Sequence, residues 1–442
     1  MSNKTNDKTM IDRFVDIAGK IASIEYLQVL KDSFMTIMPM FILAGFGTML
    51  NSVIFPLFAE GEALASLQTF GTLINNGTLN LAGLFVAAMV SHNLARVRDF
   101  RDTMAAVLVS LGSFFVIMPI EIQANLVETG EAAGVSGAVS YSLLGSNGMF
   151  AGIIIAFAAT ELLVKLSKVE QFEINLGESV PENVGKNFTV LIPVILTVST
   201  FALLSGLLTI FFDTNIIDVI ITIVQAPLMR VGGSLGGFII ILTAGVFLFS
   251  LGIHHSVITS SILQPIMLVN TNENMLAASI GEEIPHILND SFRPIFTTVG
   301  GTGSTLGLVL AIFLFSKYEP YKQISKLAIG PSLFNINEPV IFGMPIVFNI
   351  PLMIPFILAP IVGTLIGYFA TFIGFIQPFS ILVPWTTPPL VSAFLASGGD
   401  WKAPVVHLVV IIAQTLLYIP FLRIAERVAK REAAGELGTE AY

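Results

Sequence analysis

Three groups of residues in this sequence could do chemistry, because each sets polar side chains inside a long apolar tract. An ionisable side chain at bilayer depth costs about 2.5–3.5 kcal/mol on insertion scales, so one that persists there has a partner or a task. The first group is Gly252-Ile253-His254-His255, followed by Ser256, Thr259, Ser260 and Ser261. A histidine pair followed by hydroxyls can donate and accept hydrogen bonds and titrates near neutral pH; a satisfied core pair is the plainer reading, and both stand. The second is Asn335-Ile336-Asn337-Glu338-Pro339, running on to Gly343, Pro345, Asn349 and Pro351. Here a carboxylate sits beside two amides, and Pro339 disfavours helical geometry at Glu338. Freed backbone beside a carboxylate suits a ligand with many hydroxyls; the alternative is a helix turn with Glu338 facing water. The third is Pro384-Trp385-Thr386-Thr387-Pro388-Pro389. A tryptophan in a rigid segment offers a flat apolar face and one N–H donor, on which a sugar ring stacks, or it belongs to an interfacial aromatic belt. A weaker signal is Gly145-Ser146-Asn147-Gly148, where packing is the simpler role and Asn147 a further candidate contact.

Other chemistries find no support. The chain has no cysteine, which removes disulfides, thiolate metal sites and a cysteine nucleophile. The run Gly300-Gly301-Thr302-Gly303-Ser304 lacks the lysine of a phosphate-binding loop and reads as a packing or bending signal within a span. No H-E-x-x-H pattern occurs, so neither a metal nor a cofactor is expected. The net charge of −9 argues against a nucleic-acid partner.

The elements that must position these groups are membrane helices. Of 442 residues, 54% are apolar and only 12% charged, against about 25% charged in a soluble domain, and mean hydropathy is +0.84. Apolar tracts near 34–58, 81–95, 104–120, 149–164, 188–212, 236–252, 255–270, 292–315, 351–375 and 404–422 approach the roughly 20 residues that cross a bilayer core. The stretches 328–350 and 376–398 are apolar but broken by Pro, Asn and Gly; they read as re-entrant hairpins, whose irregular backbone is tolerated where it lines a cavity. The expected fold is therefore an all-α membrane protein of about ten transmembrane helices, with two re-entrant hairpins and amphipathic surface helices. Its expected divisions are a cytoplasmic amphipathic segment 1–33, a scaffold half 34–214, an amphipathic linker 215–235, a substrate-handling half 236–422 and a cytoplasmic tail 423–442. Five clusters hold all but three of the 21 basic residues, and the loop 121–147 has none. Placing each cluster in the cytoplasm puts both termini there. The polar start of the chain does not resemble a cleaved signal peptide.

The motifs together resemble the membrane subunit (IIC component) of sugar phosphotransferase systems, of the lactose/cellobiose/diacetylchitobiose family. The stretches that carry this are KDSFMTIMPMFILAG, LGSNGMFAG, VPENVGKNFTVLIP, GIHHS, NINEPVIFGMPIVFNIP and PWTTPP, spread over nearly the whole chain. The resemblance implies a homodimer in the bacterial cell membrane, with a dimerising half and a half that carries a β-linked disaccharide across like an elevator. It implies a IIB partner, fed in turn by IIA, whose phosphocysteine donates the phosphoryl group to the bound sugar; the enzymatic act belongs to that complex. By motif, Glu338 and His254 are the expected catalytic residues, with Asn337, Trp385, His255 and Asn147 as further substrate contacts. His255 departs from the small residue of the family pattern, leaving open which imidazole meets the sugar. The competing function is a proton-coupled secondary transporter, with Glu338 and His254 as coupling groups.

Overall fold

The structure is a computed structural model that describes residues 24–125, 132–145, 147–174, 188–252, 254–280, 282–344, 346–347 and 349–434. Most of the amphipathic segment expected over 1–33 and the end of the 423–442 tail lie outside the described residues. The chain is 74% helical. In order, the principal helices are α1 (Glu25–Met49), α2 (Gly61–Asn76), α3 (Ala82–Val97), α4 (Thr103–Val116), α5 (Met149–Leu166), α6 (Leu191–Phe212), α7 (Leu235–Ser250), α8 (Gln264–Ile280), α9 (Thr305–Phe315), α10 (Glu319–Leu333), α11 (Glu338–Gly343), α12 (Ile350–Phe372), α13 (Val391–Ala396) and α14 (Lys402–Ala433). Six helical segments among the described residues are long and apolar enough to cross a membrane. A seventh forms if Ile216–Gly232 and α7, bent by 81° at their junction, count as one span; α4 and α9 are shorter apolar helices. The protein is thus an all-α, multi-pass membrane protein. Among the described residues the sheet is confined to one antiparallel pair, Glu121–Asn125 with Ala132–Ser136, in the loop that carries no basic residue.

Three tracts differ from the expected spans. Residues 292–315 are not one helix: a short π-helical turn, Arg293–Thr297, is followed by a non-helical loop and then α9. Gly300, Gly301, Gly303 and Ser304 all have positive φ there, which no helix accommodates. The span expected from residue 34 begins at Glu25. The tract 255–270 continues to Ile280 as a helix that buries Asn270, Thr271 and Asn274, too polar to rank among the apolar spans.

Residues cluster into two compact units, one of 29–43 with 73–230 and one of 1–28, 44–72 and 231–442. In the first, α3 and α5 meet through small residues. A Cβ on Gly152 would stand 2.7 Å from the Gly83 carbonyl oxygen, so the two backbones touch as only glycine permits. Polar groups along this seam are paired: Ser91 with Thr160 at 2.8 Å, and Arg98 with Glu161 at 2.8 Å. Asp102 caps α4 by accepting from the Ala105 amide at 2.9 Å, which satisfies a first-turn N–H that the helix leaves unpaired. Phe114, Ile117, Ile155, Phe201 and Ile217 fill the core beside them.

In the second unit α12 lies on α14 and on the Arg293–Thr297 turn. Gly363 and Gly367 allow this approach: a Cβ on Gly363 would sit 2.0 Å from the Phe296 carbonyl oxygen. Gln414, fully buried in α14, donates to Ser304 Oγ at 3.1 Å and to the carbonyls of Ala359 at 3.2 Å and Phe296 at 3.3 Å. The Tyr418 hydroxyl donates to the Gly303 carbonyl. Two polar side chains of α14, Gln414 and Tyr418, thus hold the glycine loop at Ser304 and Gly303.

Candidate functional site

The glycine loop joins the sequence motifs. On one side it rests on Gln414 and Tyr418; on the other it meets the Asn-Ile-Asn-Glu-Pro segment. The Gly300 amide donates to Asn335 Oδ1 at 2.6 Å, and Asn337 Nδ2 donates to the Thr302 carbonyl at 2.9 Å. Asn335 holds φ +58, a left-handed conformation that asparagine tolerates better than most residues. From there its Nδ2 donates to the Trp385 carbonyl, so one amide side chain ties the glycine loop to the tryptophan segment.

Glu338 is the first residue of α11, with Pro339 in the first turn. The helix therefore starts at the carboxylate rather than breaking there: a first-turn N–H has no intrahelical acceptor, so proline costs nothing at that place. The Glu338 side chain is exposed and has no hydrogen-bond or ion-pair partner among the described residues. Trp385 is 48% exposed; a turn from the Pro384 carbonyl to the Thr387 amide, 2.9 Å, shapes its segment.

His254 and His255 stack on one another, ring centroids 4.6 Å apart. Both contact Phe249, whose ring lies 6.1 Å from Phe356, and Phe356 covers Gly303 of the glycine loop. The imidazoles differ in setting. His254 is exposed, with Nδ1 2.8 Å from Ser256 Oγ; His255 is half-buried, with Nδ1 3.0 Å from Thr259 Oγ1. His254→Ala is therefore expected to lower sugar affinity by about tenfold, one lost charge-assisted or neutral hydrogen bond, with melting unchanged. His255→Ala is expected to lower the melting temperature. Parallel binding isotherms and melting curves on the two variants check the assignment, and the reverse pattern would exchange the roles.

Asn147 lies in the other compact unit, where its Nδ2 donates to Ser142 Oγ at 2.7 Å, a contact within its own loop. The neighbouring Ser146 lies outside the described residues.

Several positioning residues carried no sequence motif. Asn274, fully buried, donates to the Phe379 carbonyl at 2.9 Å and the His286 carbonyl at 2.7 Å, and accepts from the His286 amide at 2.9 Å. Asn289 Nδ2 donates to the same Phe379 carbonyl at 3.1 Å, and Ser291 Oγ to Ile381 O at 2.8 Å. Glu273 pairs with His286 on the same segment, and Asp290 with Arg293 at 3.4 Å. Of these side chains, Asn274, Asn289 and Ser291 hold the irregular run through Phe379 and Ile381 that leads into Trp385. The one available signal was a set of amides and hydroxyls in otherwise apolar surroundings.

The comparisons follow this geometry. The family described as "Phosphotransferase system, EIIC" matches residues 31–360. The chain belongs to that family. The EIIC chain is 33% identical over 416 residues to the oligo-beta-mannoside-specific EIIC component of Bacillus subtilis, covering 93% of this chain and 92% of that protein. It is 31% identical over 436 residues to the cellobiose-specific EIIC component of Geobacillus stearothermophilus, covering 96% and 94%. Among solved structures it matches the transporter ChbC, the IIC component from the N,N'-diacetylchitobiose-specific phosphotransferase system, with TM-score 0.88 and 31% identity over 95% of this chain and 98% of that one. This EIIC protein therefore shares its fold with ChbC, and its sequence aligns over most of its length with proteins of nearly its own length.

Proposed function

We propose that this EIIC protein moves a β-linked disaccharide across the bacterial cell membrane by an elevator-type movement and presents it to the phosphocysteine of a IIB partner. The exposed Glu338 carboxylate, without a hydrogen-bond or ion-pair partner among the described residues, carries the reading: its oxygens are open to accept from sugar hydroxyls. Around it stand an amide pair that fixes backbone rather than consuming the carboxylate, and a half-exposed Trp385 on which a pyranose ring can stack. The named relatives act on oligo-β-mannosides, cellobiose and N,N'-diacetylchitobiose, all β-linked, which supports that linkage here.

In the reaction, a sugar hydroxyl oxygen attacks the phosphorus of the phosphocysteine. The O–P bond forms, the S–P bond breaks and the cysteine leaves as thiolate; the hydroxyl proton passes to Glu338 and then to water. Such transfer depends on positioning and charge stabilisation more than on covalent help from the acceptor's site. His254 holds the attacking hydroxyl against Glu338, while Asn337 and Trp385 fix the ring; His255 supports His254, and Asn147 belongs to the scaffold. Both termini lie in the cytoplasm with the basic clusters. The protein works as a homodimer, a reading supported by α6, of whose apolar span only 22% is buried within the single chain.

Proteoliposomes holding the purified protein test this. Cellobiose supplied with phosphorylated IIB protein is expected to yield sugar phosphate at a rate indifferent to a protonophore. Sugar accumulation driven by a pH gradient without IIB would replace the proposal with proton-coupled transport.

A further inference from the structure

Outside the sugar site, the C-terminal end of α14 and the start of α10 enclose an open groove of about 350 Å³, at the lower end of the size range of small-ligand sites. Its walls are apolar and aromatic: Tyr318, Tyr321 and Ile324 from one side, Val428, Ala429 and Ala433 from the other. Tyr318 and Tyr321 meet edge to face at 5.0 Å, and the turn that presents them is pinned to α14 by Ser316, whose hydroxyl donates to the buried Glu426 and accepts from the Tyr318 amide. Lys430 Nζ stands 6.0 Å above the Tyr318 ring at the groove edge, and Lys317, next to Tyr318 in the chain, is exposed. Residues 317–326 and 423–434 together hold seven Lys or Arg against three Glu, in a chain whose net charge is −9, and Glu426 is engaged by Ser316.

We infer that this groove binds the anionic headgroup and upper acyl chain of a membrane phospholipid. Mostly apolar walls, edged by Tyr318 with the Lys430 ammonium above it, match the two halves of such a molecule, and basic pockets between membrane helices are established headgroup sites. Orientation by basic residues accounts for cations near a membrane surface; it does not account for an aromatic-floored concavity beneath them. Size favours a lipid over a protein: ten residues line the groove, whereas a specific protein interface engages about 20–30 on each side. Gly343, the last residue of α11, forms part of the wall, so a bound lipid touches the helix whose first residue is Glu338. The inference is independent of the sugar reaction proposed above.

The test uses the full chain in an uncharged detergent, with dioleoyl phosphatidylglycerol and dioleoyl phosphatidylcholine as probes and native mass spectrometry as the readout. Retention of phosphatidylglycerol over phosphatidylcholine is expected. The double variant Lys317→Glu/Lys430→Glu, which reverses the charge at the groove edge, and Ala429→Phe, which fills the groove, are each expected to lower that retention about tenfold. Lys165→Glu/Lys168→Glu, an equal charge change in the other compact unit, is expected to leave it alone. Melting curves without lipid identify a variant that has lost its fold, and the remaining variant then decides. Equal retention of both lipids, retention unchanged in the groove variants, or equal loss in the control pair would overturn the site. Groove variants that keep the lipid but lose sugar phosphorylation by IIB would assign the groove to a protein partner instead.

Discussion

Glu338→Gln is expected to cut sugar phosphorylation by about 10²–10⁴-fold, the usual worth of a positioned general base, while leaving the melting temperature unchanged. The two halves of that outcome have separate causes. The carboxylate is exposed and makes no hydrogen bond or ion pair among the described residues, so its removal strands no internal partner. Glutamine keeps the volume and one acceptor oxygen but can neither take a proton nor make charge-assisted hydrogen bonds, which contribute about 1.5–3 kcal/mol each. Disaccharide affinity is therefore also expected to fall, by about ten- to a hundredfold. Glu338→Asp retains the charge one methylene short and is expected to recover part of the binding and less of the rate, because transfer is more sensitive to position than binding is. Rates are read with phosphorylated IIB in excess, and affinities by calorimetry on the same preparations. A Glu338→Gln protein that phosphorylates sugar at the parent rate would remove Glu338 from the reaction, and one that melts early would make it a structural residue.

The membrane character, the helical class and the family were legible in the sequence, and for physical reasons. A bilayer demands apolar tracts of a set length, which composition alone reveals, and the Gly-Ile-His and Asn-Glu-Pro motifs carried the resemblance to the family. That Asn335 and Trp385 are neighbours was not legible, because the two lie in separate broken segments fifty residues apart. The break inside 292–315 was legible only as a packing or bending signal at the glycine run, because hydropathy averages over a window; the backbone shows four positive φ angles within five residues. The supports were not legible. Gln414 lies 110 residues from Ser304, and Asn274 lies 105 from Phe379; no local period encodes such pairs. The same holds for the two imidazoles, whose different exposures come from Ser256, Thr259 and Phe249 around them rather than from the His-His dipeptide.

Those hidden supports lead to the second large effect. Gly301→Ala is expected to lower disaccharide affinity by at least about tenfold, although Gly301 has no side chain to offer a ligand. Its φ of +100 is open to glycine and strained for alanine, at about 1–3 kcal/mol. A Cβ there would also stand 2.6 Å from Asn337 Cγ and 2.8 Å from Asn337 Nδ2, closer than carbon atoms pack. The backbone cannot yield easily, because Asn335 holds the preceding amide, while Tyr418 and Gln414 hold Gly303 and Ser304 from below. Asn337 must move instead, giving up its hydrogen bond to Thr302, and with it moves the residue that precedes Glu338. The displacement falls on the site rather than on the helices that frame it, so affinity should suffer more than overall stability. Gly206→Ala supplies the comparison: that glycine lies within α6 with nothing within 4 Å of an added Cβ, and alanine there is expected to be neutral or stabilising by up to about 1 kcal/mol. Binding and melting measured on both variants separate the cases. A Gly301→Ala protein that binds disaccharide like the parent would mean that the glycine loop does not set the position of Asn337 and Glu338.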